Sequence, residues 1–132
     1  MEKNKFPVQH ILFVDDEADL LDLLKLQFEM EGFSVSTAVN GAEALEVMVD
    51  QLPHVIVSDF NMPVMNGKEL LAQVKSQHPN IPFILFISDG TLSKEEALKL
   101  GCTEVLEKPF AHEDLLSAVL SSLDPSSFSH VG

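Results

Sequence analysis

The stretch Val55-Ile56-Val57-Ser58-Asp59 decides the fold, because a short continuous apolar run there is followed by one serine and then by an acid. A strand that is apolar on both faces is typical of a parallel sheet lying between two layers of helices. Residues 11–14 and 83–87 form runs of the same kind, whereas residues 33–36 and 105–106 are weaker strand candidates. The sequence therefore predicts a parallel sheet with strong central strands and the two weaker strands nearer its edges.

Helical patterns lie between the predicted strands. Three of them begin with a capping residue three positions before a glutamate, a pairing that satisfies free backbone N–H groups at a helix start. These pairs are Asn40 with Glu43, Asn66 with Glu69, and Ser93 with Glu96. Gly32 and Gly101 are suited to end helices, since glycine readily adopts the left-handed conformation found there. Strand and helix thus alternate five times, and right-handed crossovers predict an α/β, doubly wound (βα)5 fold with helices on both faces.

The composition limits what the protein binds. The 132 residues suit a single domain, which we expect to span residues 8–123, with residues 124–132 as a short polar tail. Acids outnumber bases by 21 to 8, the formal net charge is −13, and all the bases are lysines. Because nucleic-acid-binding proteins neutralise phosphates with basic residues, we expect no direct binding to DNA or RNA.

Membrane and cysteine signatures are weak in this sequence. No apolar stretch approaches the roughly 20 residues that a membrane span needs, and the run behind the basic start of the chain is interrupted at Asp15. We therefore expect no signal peptide, no membrane association and a cytoplasmic protein. The single cysteine, Cys102, excludes an internal disulfide and a cysteine-based metal site. The five histidines lack metal-ligand spacing, and we interpret them as surface or core residues.

The chemistry-bearing residues stand at the carboxyl ends of predicted strands. The first strand ends in Asp15-Asp16 and the third in Asp59; Ser88 ends the fourth, and Lys108 follows the fifth. Open α/β sheets bind ligands beyond this edge, so we expect these side chains to converge. Two carboxylates about 4 Å apart repel by about 1 kcal/mol in water and about 4 kcal/mol at an effective dielectric constant of 20. The cluster therefore requires a cation, and Mg²⁺, which prefers oxygen ligands, is the expected one.

These residues resemble those of one known family, the receiver domain of two-component response regulators. Asp15 and Asp16 are similar to its metal-binding acids, and Asp59 resembles its phosphoacceptor within an Asp-x-x-Met-Pro-x-x-x-Gly pattern. Ser88 stands where the family has serine or threonine, and Lys108 begins the matching Lys-Pro-Phe motif. The resemblance covers nearly the whole chain and implies a flavodoxin-like sheet of five strands in the order 2-1-3-4-5.

The resemblance also implies an acceptor and a metal site. Asp59 is expected to act as the nucleophile that takes a phosphoryl group. Asp15, Asp16 and Asp59 are expected to bind Mg²⁺ together with the backbone carbonyl of Asn61, so that the cation balances charge between the attacking and the phosphoryl oxygens.

Ser88 and Lys108 complete the expected catalytic set with Asp59. Ser88 would donate a hydrogen bond to a phosphoryl oxygen, and Lys108 would place its charge beside Asp59 before transfer and beside the phosphate afterwards. The resemblance implies a sensor histidine kinase or a histidine phosphotransfer protein as donor and a further protein as downstream partner. The chain would then modify itself and would not be an enzyme acting on other substrates.

Two alternatives and two departures from the family pattern stay open. A degenerate receiver would act as an interaction scaffold without phosphorylation. An Mg²⁺-dependent aspartyl phosphatase would end its first strand in Asp-x-Asp, a spacing that this chain lacks. Val105 stands where most receivers have tyrosine or phenylalanine, and Asp89 where they have a small residue. Because valine has no ring to move, the departures predict signal transmission through residues 91–100 and not by an aromatic side chain.

Overall fold

Strands and helices alternate strictly in the computed structural model, which describes residues 8–88, 90 and 92–124. The elements are β1 (His10–Val14), α1 (Ala18–Met30), β2 (Ser34–Ala38), α2 (Gly41–Asp50), β3 (Val55–Asp59), α3 (Gly67–Gln77), β4 (Phe83–Ile87), α4 (Lys94–Lys99), β5 (Glu104–Glu107) and α5 (His112–Leu123). The strands in this part of the chain pair in parallel in the order β2-β1-β3-β4-β5. The predicted doubly wound α/β fold and its strand order are confirmed.

The central strands form the core because they are apolar on both faces. Every residue of β1, β3 and β4 is buried, whereas β2 and β5 are partly exposed edge strands, as predicted. Successive side chains of a strand point to opposite faces. Ile11 and Phe13 therefore pack in the cluster that contains α1 and α5, and Leu12 and Val14 pack in the cluster that contains α2, α3 and α4. Full burial of one such side chain contributes about 1.5–3 kcal/mol.

The strand register brings the ends of distant segments to one edge. β1 and β3 are aligned so that Asp15 follows at the level of Asp59, and Asp59 pairs directly with Phe86 of β4. The backbone N–H of Lys108 donates to the carbonyl oxygen of Ile87 at 2.8 Å, which brings the end of β5 to the same edge.

The helix ends follow the predicted signals, with one difference. α3 and α4 begin with the predicted reciprocal capping boxes. At α2, Asn40 accepts the Glu43 backbone N–H, but the Glu43 carboxylate accepts the N–H of Val39, so this box closes one residue earlier than predicted. Gly32 and Gly101 take the expected positive φ, 102° and 104°.

Several predictions concern residues outside the described part. Asp89, the first residue of the predicted relay at 91, and the tail beyond residue 124 lie there. The domain boundaries at 8 and 123 stay predictions. None of the described helices has the length and hydrophobicity needed to cross a bilayer.

Candidate functional site

Three carboxylates meet at the carboxyl edge of the sheet. One oxygen each of Asp15, Asp16 and Asp59 can be chosen so that all three lie within 4.8 Å of one another. Asp15 and Asp59 are buried, with 1% and 7% of their surface exposed, while Asp16 is exposed. The site therefore concentrates negative charge where water reaches only one of the three groups freely.

Lys108 is the cation that this cluster receives from the protein. Its Nζ donates to Asp15 Oδ2 at 2.8 Å and to Glu17 Oε1 at 3.0 Å, and it lies 3.5 Å from Asp59 Oδ1. The same Nζ lies 5.8 Å from the centroid of the Phe86 ring, within reach of a cation–π attraction. Lys108 thus sits beside the expected acceptor, but its shortest contact is with Asp15. The peptide bond between Lys108 and Pro109 is cis.

Glu17 is the member of this arrangement that the sequence reasoning missed. It is the N-cap residue of α1, and its backbone N–H donates to Asp15 Oδ1 at 3.0 Å. The position of Glu17 directly after Asp15 and Asp16 could have indicated this role. A helix that begins at the carboxyl edge of the sheet places its first residues beside the site.

The electrostatic balance of the site is visible in its pKa values. Burial, reinforced by the charge of Asp15, raises the pKa of Asp59 to about 6, although Lys108 opposes the shift. Burial also raises the pKa of Asp15 despite its hydrogen bond from Lys108. Burial alone would lower the pKa of Lys108, but its hydrogen bonds to Asp15 and Glu17 outweigh burial and raise this pKa to about 12. One ammonium therefore does not fully compensate the carboxylates.

The loop after Asp59 is closed by backbone contacts. The N–H of Gly67 donates to the carbonyl oxygen of Phe60 at 2.9 Å, and a Cβ at Gly67 would collide with the carbonyl oxygen of Asp59. Glycine is therefore required there by close approach. Between these points Val64 has φ of 69°, and Met65 N–H donates to the Pro63 carbonyl at 2.7 Å, which forms a tight γ-turn. A positive φ is strained for a β-branched residue.

The comparison with protein families decides the identity of the fold. The family model described as "Response regulator receiver domain" matches residues 11–120. The chain belongs to this receiver family. It is similar to SaeR, a response regulator of Staphylococcus aureus (strain USA300), at 35% identity over 109 residues, which are 81% of this chain and 47% of SaeR. The receiver chain spans about half the length of the curated relatives it matches.

Solved structures agree with this assignment. A response regulator receiver domain protein from Clostridium thermocellum superposes with a TM-score of 0.82 at 29% identity, over 88% of this chain and 94% of that one. A CheY-like receiver domain protein from Methanospirillum hungatei JF-1 has a TM-score of 0.82 at 30% identity, over 89% and 95% of the two chains. This receiver therefore shares the family's fold over nearly its full described length.

The acids of this receiver fit a divalent cation. Receiver domains generally bind Mg²⁺ at an acidic cluster, and Asp15, Asp16 and Asp59 form such a cluster here. All three offer the hard oxygen ligands that Mg²⁺ prefers. Burial and the neighbouring charge of Asp15 both raise the pKa of Asp59, and a divalent cation would relieve the repulsion between these two carboxylates. Asn61, the expected source of a backbone ligand, lies exposed in the loop after β3.

The remaining expected residues lie at the same edge or behind it. Ser88 directly follows β4 and is half-buried. Val105 is buried in β5, in the core cluster that includes Ala97 of α4. Signal transmission through residues 91–100 stays a prediction.

Proposed function

We propose that Asp59 accepts a phosphoryl group from a phosphohistidine of a sensor histidine kinase or a histidine phosphotransfer protein, and that the reaction depends on Mg²⁺. The observation that carries the proposal is the meeting of Asp15, Asp16 and Asp59 within 4.8 Å, with the Lys108 ammonium 3.5 Å from Asp59. A nucleophilic carboxylate, metal-ligating acids and a fixed cation are the groups that phosphoryl transfer requires.

In the proposed step the N–P bond of the donor breaks while a carboxylate oxygen of Asp59 forms the new P–O bond. The imidazole of the donor leaves with the electron pair and takes a proton from solvent. Asp59 must be ionised to attack, and with a pKa of about 6 it is mostly ionised at neutral pH. Bound Mg²⁺ would add positive charge beside the attacking and phosphoryl oxygens.

The other residues of the site act on the product. Lys108, with a pKa of about 12, stays protonated and can follow the negative charge from the carboxylates to the phosphoryl group. Ser88, at the end of the neighbouring strand, is proposed to donate its hydroxyl hydrogen to a phosphoryl oxygen. The product is an acyl phosphate of the chain itself, so the proposal makes this protein a signalling module and not an enzyme with outside substrates.

The location and partners follow from the same proposal. A receiver that takes its phosphate from a histidine kinase works in the cytoplasm and transmits its state through contact with a further protein. The net charge of −13 speaks against direct contact of this chain with nucleic acid.

A labelling experiment tests the acceptor. The protein is incubated with acetyl phosphate and MgCl₂, and the product is analysed by intact mass and peptide mapping. We expect one phosphoryl group that is stable to acid and removed by hydroxylamine. Asp59→Asn should abolish it, whereas Asp50→Asn, an exposed acid at the far end of α2, should not. A label that persists in Asp59→Asn would contradict the assignment, and a wild type that takes no label from acetyl phosphate or a histidine kinase would support the scaffold alternative.

A further inference from the structure

Lys108 is shared between carboxylates of two kinds. Within the described part of the chain its ion-pair partners are Asp15 at 2.8 Å, Glu17 at 3.0 Å and Asp59 at 3.5 Å. Asp15 and Asp59 belong to the acidic cluster that fits a cation, whereas Glu17 does not. Glu17 is also the open partner: 62% of its side chain is exposed, against 1% for Asp15.

We propose that Glu17 is a positioning residue. Its carboxylate is a second anchor that holds the Lys108 ammonium at the rim of the site when Asp15 binds Mg²⁺. The inference rests on the proposed function, since it concerns the metal and the lysine of the same site. It assigns a role to a residue for which the fold alone requires only a helix start.

The contacts of Asp15 create the need for this anchor. Its Oδ1 accepts the Glu17 backbone N–H at 3.0 Å, and its Oδ2 accepts from Lys108 at 2.8 Å. A divalent cation on the same carboxylate would stand next to the ammonium, and the two positive charges would repel each other. Lys108 must then move away from Asp15. A partly buried ammonium that keeps no carboxylate partner is unfavourable, and this cost would weaken the binding of the metal.

The geometry of Glu17 suits this task. Its backbone is fixed to Asp15 by the N–H bond, so its carboxylate stays within one side-chain length of the metal ligand. Its own oxygen already lies 3.0 Å from Nζ, so the ammonium can leave Asp15 without breaking its contact with Glu17. The competing explanation is an exposed ion pair without consequence, as many surface pairs are.

Magnesium affinity measured by titration calorimetry separates these explanations. Calorimetry suits this chain because it has no tryptophan or tyrosine to report binding by fluorescence. The variants are Glu17→Gln, Lys108→Met and the two together, with Asp19→Asn, an exposed acid in the first turn of α1, as the matched loss of charge. We expect Glu17→Gln to weaken Mg²⁺ binding about fivefold, the factor expected for an ion pair of moderate strength. Asp19→Asn should change it by less than about twofold, the weaker effect of a charge that makes no direct contact.

The Lys108→Met background supplies the decisive comparison. There Glu17→Gln should have no more effect than Asp19→Asn, because no ammonium remains to be held. Equal effects of Glu17→Gln and Asp19→Asn in the wild-type background would overturn the proposal. So would a full effect of Glu17→Gln in the Lys108→Met background, since Glu17 would then act on the cation directly.

A second readout needs no change at Lys108. Nuclear magnetic resonance of the Lys108 ammonium in saturating MgCl₂ should show proton exchange with water several-fold faster in Glu17→Gln than in wild type. Equal exchange rates would overturn the proposal. None of these measurements uses a phosphodonor, so a failure of Asp59 to accept phosphate would defeat the proposed function and leave the role of Glu17 standing. A wild type that binds no Mg²⁺ would defeat the role of Glu17 and the Mg²⁺ dependence in the proposed function, whereas labelling would still decide whether Asp59 is the acceptor.

Discussion

The two ends of the sheet bury polar groups in opposite ways. At the amino end, His10 is only 4% exposed, and its two ring nitrogens lie 2.8 Å from the hydroxyl oxygens of Ser34 and Ser36 on the neighbouring strand. His54 Nδ1 accepts the His10 backbone N–H at 2.9 Å. The polar atoms here are matched by neutral partners.

At the carboxyl end, charge replaces this neutral pairing. The buried Asp15 and Asp59 pair with the ammonium of Lys108, and Asp16 lies beside the two carboxylates. Buried polar groups that serve stability are normally satisfied by hydrogen bonds, whereas an unbalanced charge is typical of a site that handles a charged ligand. Loss of a polar side chain should therefore destabilise the protein at the amino end of the sheet and can stabilise it at the carboxyl end.

The largest expected effect is at the amino end. His10→Ala removes a buried ring and both of its hydrogen bonds, so we expect the free energy of unfolding to fall by about 2–3 kcal/mol. Ser36→Ala, which loses one of the two bonds, should cost about 1 kcal/mol. Urea denaturation monitored by circular dichroism measures both. A loss below about 0.5 kcal/mol for His10→Ala, the scatter of ordinary surface substitutions, would show that this network does not hold β2 to β1.

At the carboxyl end, loss of a buried polar side chain is expected to increase the free energy of unfolding. Asp59→Asn removes a buried charge beside Asp15, so without Mg²⁺ at pH 7 the variant should be more stable than wild type by about 1–2 kcal/mol, since Lys108 and solvent screen part of the repulsion. Asp50→Asn, at the exposed end of α2, is the matched control and should be neutral. Saturating MgCl₂ should reduce the gain, because the cation stabilises the wild-type cluster. A metal-free variant that is less stable than wild type would show that the charge of Asp59 does not destabilise the carboxyl end.

The two ends of the sheet should contribute opposite slopes to the pH dependence of the free energy of unfolding. Burial is the main cause that lowers the pKa of His10, with Lys25 acting in the same sense. The unfolded chain therefore binds more protons, and stability falls as pH drops through about 6.5. The pKa of Asp59 is raised from 3.8 to about 6, so the folded state binds more protons and stability rises as pH drops through 6.

Asp59→Asn removes the second contribution and leaves the first. Without Mg²⁺, most of its stability gain over wild type should therefore vanish between pH 7 and about pH 4, because the folded and unfolded states differ in protonation over the whole window from about 6 down to 3.8. Thermal unfolding of both proteins at several pH values measures this, and a gain that is constant over the range would contradict the raised pKa of Asp59.

The smallest expected effect concerns the backbone of the loop after Asp59. Val64 is the non-glycine residue with positive φ in the described part of the chain, and it lies in the loop at the carboxyl end. Val64→Gly should stabilise the protein by about 0.5 kcal/mol, because relief of about 1–2 kcal/mol of strain is partly offset by the greater freedom of glycine in the unfolded chain. Val64→Ile, equally β-branched, should give no gain. Equal stabilities of all three proteins in urea would show that the turn stores no strain.

The fold was predictable because its signals are local and repeated. The run from Val55 to Val57 is apolar and buried on both faces, and such a run between turn signals is typical of the middle of a covered parallel sheet. Asp59 follows from the same logic, since an acid directly after a buried strand must lie at the carboxyl edge. The interpretation of the histidines as surface or core residues also suits His10, a core histidine with satisfied ring nitrogens.

Three details of the structure were not predictable from the sequence. The contact of Glu17 with Lys108 joins residues 91 positions apart through two flexible side chains, and no sequence pattern fixes such a pair. The γ-turn at Val64 contradicts local preference, because a β-branched residue disfavours positive φ. At the start of α2, the Glu43 carboxylate accepts the N–H of Val39, one residue before the N–H of Asn40 that the capping-box pattern indicates.

The closed loop after Asp59 has a consequence for how this segment can evolve. Its base is sealed by the bond from Gly67 to Phe60, and its far side is tied to α2 by the Gly41 N–H, which donates to the Met65 carbonyl at 2.9 Å. A segment fixed at both points has a set length, while Val64 at its tip is 81% exposed. We therefore expect natural variation here to replace residues freely at the tip and hardly ever to insert or delete one.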